Sequence, residues 1–359
     1  MKRPRSALLT VGLVTLFSLT ASAQQDPASI DVASLGPQVG DQIADFRLED
    51  QLGDVWTRDS IMGPNGALLA FSRSVDWCPY CKTQMIDLQN RLPELQTQGL
   101  GLAVITYDSR EIMADFGVRR GITFPLLSDP GSRTIDAYGI LNTTLDETSN
   151  NYGIPFPGTL VVDRQGIVTA RFFEEAYQER ATVSNMLLTL GTGGTPITAS
   201  RIATDHLQIT TYASDDMVAP GSLFSLVFDI SPRERMHVYA PGADSYRIVG
   251  VNLDSNPLLV TRPLEYPESE IYFFEPLNER VPVFQSPFTL TQHLTVSAAR
   301  EHRPALADME TVTITGTLDY QACDDRLCFN PQSVPVSFTV GLRQLDTERA
   351  NVDTVDSAR

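Results

Sequence analysis

Lysine, histidine, tryptophan and cysteine are all scarce in this 359-residue chain. Lysine occurs only at positions 2 and 82. With 27 Lys and Arg against 44 Asp and Glu, the formal charge is −17. A surface of that sign repels phosphate backbones, which excludes a nucleic-acid partner. The four histidines, His206, His237, His293 and His302, all lie in the second half of the sequence. None can complete a local metal site with the cysteines of the first half, so no metal and no cofactor is expected. Beyond the N-terminus no run approaches the ~18 apolar residues that a membrane helix needs. The 42% hydrophobic and 20% charged content excludes a wholly disordered chain, and the length calls for two domains.

The N-terminus has the pattern of an address. Met1–Arg5 is basic, Ser6–Thr20 is apolar but short for a span, and Ala21-Ser22-Ala23 is a small-x-small cleavage site. A signal peptide over 1–23, cleaved near Ala23, is expected. The rest of the chain is then periplasmic or secreted.

Only four cysteines are present, in two close pairs: Cys78 with Cys81, and Cys323 with Cys328. Closing so short a loop removes little entropy from the unfolded chain, so neither pair is an effective staple. Close pairs suit exchange, where one thiol resolves what the other has attacked. A shared zinc site would need all four thiolates together, yet the pairs lie in different expected domains.

From Val39 to Gly191 strand and helix patterns alternate. Ala67–Phe71 and Gly101–Tyr107 read as buried strands, and Pro125–Leu127 as a short one. Apolar residues from Cys78 to Gln96 step by three and four, with a break expected near Pro93. Helices are also expected from Arg110 to Arg119, from Ser132 to Tyr138 and from Glu175 to Leu190. Thr159–Asp163 and Ile167–Phe173 read as a hairpin. This alternation predicts an α/β domain over 36–190. A Gly-rich linker over 191–200 follows, flexible enough for one domain to reorient over the other. Seven strand-like runs then predict an all-β sandwich over 201–343: Gln208–Tyr212, Ser222–Ile230, Ile248–Asp254, Leu258–Thr261, Phe288–Ser297, Thr311–Tyr320 and Val334–Val340. The polar stretch 344–359 is expected to be a flexible tail.

Trp77-Cys78-Pro79-Tyr80-Cys81 follows a buried strand and opens a helix. Unpaired N–H groups at a helix start stabilise a thiolate. Cys78 is therefore expected to be the exposed, low-pKa nucleophile and Cys81 the deeper resolving thiol. Pro79 costs nothing in the first turn. Trp77 either shields the pair or packs. Lys82 could lower a thiol pKa, although a solvated side chain is the plainer reading.

These residues resemble the thioredoxin-like superfamily in its alkyl hydroperoxide reductase/thiol-specific antioxidant (redoxin) branch. Val39–Phe46 resembles that branch's N-terminal hairpin, Trp77–Cys81 its active site, and Phe156–Asp163 the segment that carries its cis-proline. The resemblance implies that Pro157 is cis and faces the pair. One departure matters. Peroxiredoxins carry Pro and Thr seven and three residues before the peroxidatic cysteine, and Phe71 and Val75 stand there in this chain. Dithiol–disulfide exchange is thereby favoured over peroxide reduction.

Tyr320–Gln332 holds the second pair, and His237-Val238-Tyr239-Ala240-Pro241-Gly242 with Tyr246 lies upstream. Together they resemble the N-terminal periplasmic domain of the thiol:disulfide interchange protein DsbD. That resemblance implies an immunoglobulin-like sandwich in which Cys323 and Cys328 form an exchangeable disulfide. Asp324 and Asp325 raise the cost of a thiolate there and Arg326 lowers it.

The sequence thus predicts an exported thiol–disulfide oxidoreductase with catalytic Cys78, Cys81, Cys323 and Cys328, supported by Trp77, Pro79 and Pro157, in which Cys323/Cys328 relays electrons to Cys78/Cys81. Its partners would be protein thiol or disulfide substrates and an external electron donor such as a membrane thiol–disulfide reductase. Two alternatives stand beside it. One is a peroxiredoxin-type thiol peroxidase. The other is a sandwich that binds a partner and holds only a structural disulfide.

Overall fold

The computed structural model describes residues 31–193, 198–274 and 278–351. The expected signal peptide and positions 194–197 of the expected linker lie outside these residues. The first half contains β1 (Arg47–Asp50), β2 (Val55–Thr57), β3 (Ala67–Ser72), α1 (Pro79–Asn90), α2 (Leu92–Thr97), β4 (Gly101–Thr106), α3 (Arg110–Arg120), β5 (Leu126–Ser128), α4 (Arg133–Ala137), β6 (Gly158–Val162), β7 (Val168–Phe173), β8 (Arg180–Ala181) and α5 (Val183–Thr189). Seven of these strands form one sheet in the order β2-β1-β5-β4-β3-β6-β7. β3 and β4 run parallel at its centre. Their continuous apolar runs are buried on both faces, as helix-covered parallel strands must be. The expected break falls at Arg91, between α1 and α2. Pro93 cannot continue a helix from within, but it is tolerated in the first turn of the next one.

The expected long helix from Glu175 to Leu190 is not formed. Residues 180–181 are β8, which leaves the first sheet and pairs in parallel with a strand of the second half. The helix starts only after Thr182, whose Oγ1 accepts the Asn185 N–H at 3.1 Å. Strand pairing across the seam and a good cap outcompete helix propensity here.

The second half contains β9 (Ser200–Ala203), β10 (Leu207–Ala213), β11 (Met217–Val218), β12 (Ser222–Pro232), β13 (His237–Tyr239), β14 (Gly250–Leu253), β15 (Leu259–Glu265), β16 (Glu270–Phe274), β17 (Glu279–Phe284), β18 (Phe288–Val296), α6 (Arg303–Ala307), β19 (Thr311–Tyr320), β20 (Ala322–Cys323) and β21 (Gln332–Leu342). They build three sheets: β15-β18-β12-β10-β9, joined at β12 by β8; β11-β21-β19-β14; and β16-β17-β13-β20. Phe228, Leu290 and Leu294 of the first share a core with Ile314, Leu318 and Phe338 of the second.

The two halves meet in a packed seam. Leu223 of β12 enters the apolar core beneath α1 and α3, and Asn185 of α5 donates to Ser225 Oγ at 2.7 Å. The expected freedom of one half over the other is therefore not seen, because a shared strand pairing and buried contacts join them. The expected flexible tail over 344–359 is also corrected, over residues 345–350. They lie across the first half, fixed by ion pairs and backbone hydrogen bonds.

Candidate active site

Cys78 is the N-cap of α1, Pro79 its first residue and Cys81 its third. The strand–turn–helix order anticipated from the sequence thus places both thiols at a helix start. Their exposure differs from expectation. Cys78 is 1% exposed and Cys81 fully buried, because Trp77, Ala298 and Leu345 pack around them. Two of those three residues come from the second half of the chain, which local sequence cannot reveal.

Burial opposes charge on Cys81. The hydrogen bond with Cys78 and the nearby Arg180 guanidinium outweigh it and hold this thiol well below its ordinary range. The same hydrogen bond, reinforced by burial, pushes the Cys78 thiol far up. The two thiols thus share one hydrogen bond, and the Arg180 guanidinium favours a negative charge on the pair. Arg180 Nη2 lies 3.6 Å from Cys81 Sγ, and Arg180 Nε donates to Gln84 Oε1 at 3.2 Å. β8 thus brings a cation to the dithiol from the interdomain seam.

Asp108 lies beneath the same turn. It accepts Ser74 Oγ at 2.9 Å, the Val75 N–H at 2.6 Å and Thr106 Oγ1 at 2.9 Å. Burial nevertheless pushes its carboxyl up to about 6. Val75 is fully buried in the core and offers no hydroxyl beside Cys78. Trp77 both packs on the pair and donates from Nε1 to Tyr107 Oη at 2.8 Å.

Lys82 is fully buried, not solvated. Burial pushes its ammonium down, opposed by Asp346 and Asp76. Its Nζ donates to the Glu348 carbonyl and lies 3.7 Å from Asp346. Pro157 is corrected as well. No cis peptide occurs among the described residues. Phe156 N donates to the Ile140 carbonyl at 2.7 Å, and Pro155 bridges to Leu141, which carries the chain in extended form into β6. Pro157 lines a cavity of about 180 Å³ with Arg73, Phe173 and Tyr177.

At the second pair, Cys323 and Cys328 form a disulfide. Cys323 is buried on β20 and pairs with His237, whereas Cys328 is exposed. Tyr239 Oη lies 2.9 Å from Cys323 Sγ and 3.3 Å from Cys328 Sγ. Tyr246 stacks on Tyr239 with ring centroids 3.9 Å apart. The two upstream motifs singled out in the sequence are thus brought to the disulfide. The β16–β17 hairpin adds Tyr272 and Val283 to its cover. Asp325 is paired with Arg235, and Asp324 accepts the Arg326 and Leu327 N–H groups to shape the turn.

The two pairs are not brought together. β21 starts beside the disulfide loop and ends where residues 343–351 turn toward Cys78. At ~3.3 Å per residue its eleven residues span about 35 Å.

Sequence reading missed Arg180, Asp108 and the residues after Leu342. An acid directly after a buried strand could have marked Asp108. Nothing local marks Arg180 or Leu345, because both act through tertiary contacts.

Compared with known proteins, residues 39–171 match the AhpC/TSA family. Alkyl hydroperoxide reductase E of Mycobacterium tuberculosis is 32% identical over 138 residues, covering 38% of this chain and 84% of that protein. The thiol-disulfide oxidoreductase ResA of Halalkalibacterium halodurans is 28% identical over 130 residues, 36% of this chain and 65% of the relative. The crystal structure of peroxidoxin BcpB from Mycobacterium tuberculosis superposes with a TM-score of 0.37 at 21% identity, covering 44% of this chain and 96% of that one. No helix among the described residues is long and apolar enough to cross a membrane.

Proposed function

The chain belongs to the AhpC/TSA family through residues 39–171, and from that premise we propose that it is an exported thiol–disulfide oxidoreductase acting on protein substrates. The observation that carries this reading is the dithiol at the start of α1, with Arg180 beside Cys81 and apolar Val75 where a peroxidase needs a hydroxyl. Once uncovered, Cys78 sits at a helix N-terminus, which favours its thiolate. Cys78 Sγ attacks one sulfur of a substrate disulfide, forming a mixed disulfide and releasing one substrate thiolate. Cys81 Sγ, held as thiolate by Arg180, then attacks Cys78 Sγ and releases the second. The dithiol loses two electrons to the substrate, whose two sulfurs leave as thiolates and take protons from solvent.

Cys323–Cys328 is the second redox pair in this reading, refilled by an external donor such as a membrane thiol–disulfide reductase. Its exposed Cys328 gives an attacking thiolate access. An immunoglobulin-like sandwich and an extracytoplasmic location complete the reading.

The second reading is a thiol peroxidase, favoured by the name of the mycobacterial relative. Presenting the reduced chain with a protein disulfide or with hydrogen peroxide separates the two. The disulfide should be consumed readily, Cys81→Ser should accumulate a mixed disulfide at Cys78, and peroxide should react slowly. Rapid peroxide turnover would replace this reading with the second.

A further inference from the structure

Residues 343–351 have no regular secondary structure, yet they are held at every second or third residue. Gln344 Nε2 donates to the Leu306 carbonyl at 2.9 Å, and Leu345 packs against the cluster that Cys78, Tyr80 and Cys81 form. The Asp346 N–H reaches Thr83 Oγ1 at 3.4 Å. The Asp346 carboxylate takes Arg120 Nε at 2.6 Å, with Lys82 Nζ behind it. Glu348 pairs through its carboxylate with Arg119 and Arg120, and through its carbonyl with Lys82. Arg349 Nε donates to Asp76 Oδ2 at 2.9 Å, and the Ala350 N–H to Asp76 Oδ1 at 2.7 Å.

The pattern of these contacts is informative. The site grips the segment's main chain at three points, through Thr83, Lys82 and Asp76. Such contacts accept many sequences, much as edge recognition of extended peptides does. Its side-chain preference is for two carboxylates, met by Lys82, Arg119 and Arg120, followed by one cation met by Asp76. In a chain of net charge −17, the one lysine beyond the N-terminus is spent beside the dithiol. The leucine of the segment packs against the cluster that holds both cysteines. A segment needed only to finish the fold would gain little from burying a lysine beside a redox centre.

We propose that residues 344–350 are a pseudosubstrate. They occupy the groove in which the dithiol receives an extended acidic stretch of its protein substrate, and they must leave before exchange. This rests on the proposed exchange function and names its substrate class. Asp76, Lys82, Thr83, Arg119 and Arg120 are the positioning residues of that groove.

The test measures access to the thiol, with no exchange required. In the reduced full chain, Cys78 alkylation by iodoacetamide is followed by mass spectrometry. The triple variant Asp346→Asn, Glu348→Gln, Arg349→Ala should label at least about tenfold faster than the wild-type chain. A synthetic peptide of residues 344–350 should restore slow labelling, and its Asn/Gln counterpart should not. Arg349→Ala alone, whose side chain is 63% exposed and outside any core, should give a smaller acceleration even if the triple variant unfolds. Unchanged labelling in both variants, or no protection by the peptide, overturns the proposal. Because alkylation involves no disulfide, a failed exchange assay with intact peptide protection would remove the exchange reading while leaving the groove.

Discussion

Asp215 shows how a single residue sets the pH response of the seam. It is almost fully buried, takes hydrogen bonds from Thr182 Oγ1 at 2.8 Å and Ser214 Oγ at 2.6 Å, and leaves Oδ1 without a partner. Burial first, and the neighbouring Asp87 second, push its carboxyl up to about 7. A raised folded-state value means that the native protein holds a proton the unfolded chain has released. That contribution is complete below the unfolded value of ~3.9 and is lost as the pH rises through about 7. Asp215→Asn keeps the shape and removes the titration. Thermal unfolding should therefore find the variant more stable than wild type at pH ~8, by about 1–3 kcal/mol, with the gap closing toward pH ~4. A constant difference across that range would exclude Asp215 as the titrating group. Neither charge runs nor hydrophobic periodicity point to this residue. Its behaviour comes from Thr182, Ser214 and Asp87, which lie together only in the folded chain.

At the scale of elements, the sequence was legible wherever a strand or helix satisfies itself locally. β3, β4 and the split between α1 and α2 follow from apolar runs and from Pro93, and the long strands β12, β19 and β21 from β-branched alternation. Short strands that exist only through a partner were not legible: β8, β13, β20 and the β16–β17 hairpin. β8 is the consequential one, since it carries Arg180 to Cys81 and ties the halves together. Gly221 makes that tie feasible. It has φ 86°, and a Cβ there would lie 2.3 Å from the Gln178 carbonyl oxygen. Gly221→Ala must therefore distort the backbone beside β8, with strain of about 1–2 kcal/mol from the left-handed conformation alone. The expected result is a lower unfolding temperature, together with faster amide hydrogen exchange at Arg180 and Thr182, whose N–H groups bond to Gly221 and Leu223 carbonyls. Exchange there as slow as in the wild type would mean that the seam does not depend on this close approach.

For the molecule as a whole, the chemistry was more legible than the arrangement. Both cysteine pairs, the helix start at Cys78 and the aromatic partners of the second pair were visible in short stretches of sequence. That the dithiol lies under residues 345–350 was not visible. A polar stretch with one leucine is ordinary as sequence and becomes a cover only when Lys82, Arg119 and Arg120 are arrayed beneath it. The placement of the two pairs in separate clusters of two packed halves carries a kinetic consequence. The pairs lie in separate clusters of two halves joined by a packed seam, so transfer within one molecule requires that seam to open. If the seam stays closed, the proposed transfer from Cys323/Cys328 to Cys78–Cys81 crosses between molecules and is second order in protein. Mixing equal amounts of the selectively reduced and the oxidised chain should give a half-time that halves with each doubling of concentration. A half-time indifferent to dilution would mean that the halves part and refold upon one another.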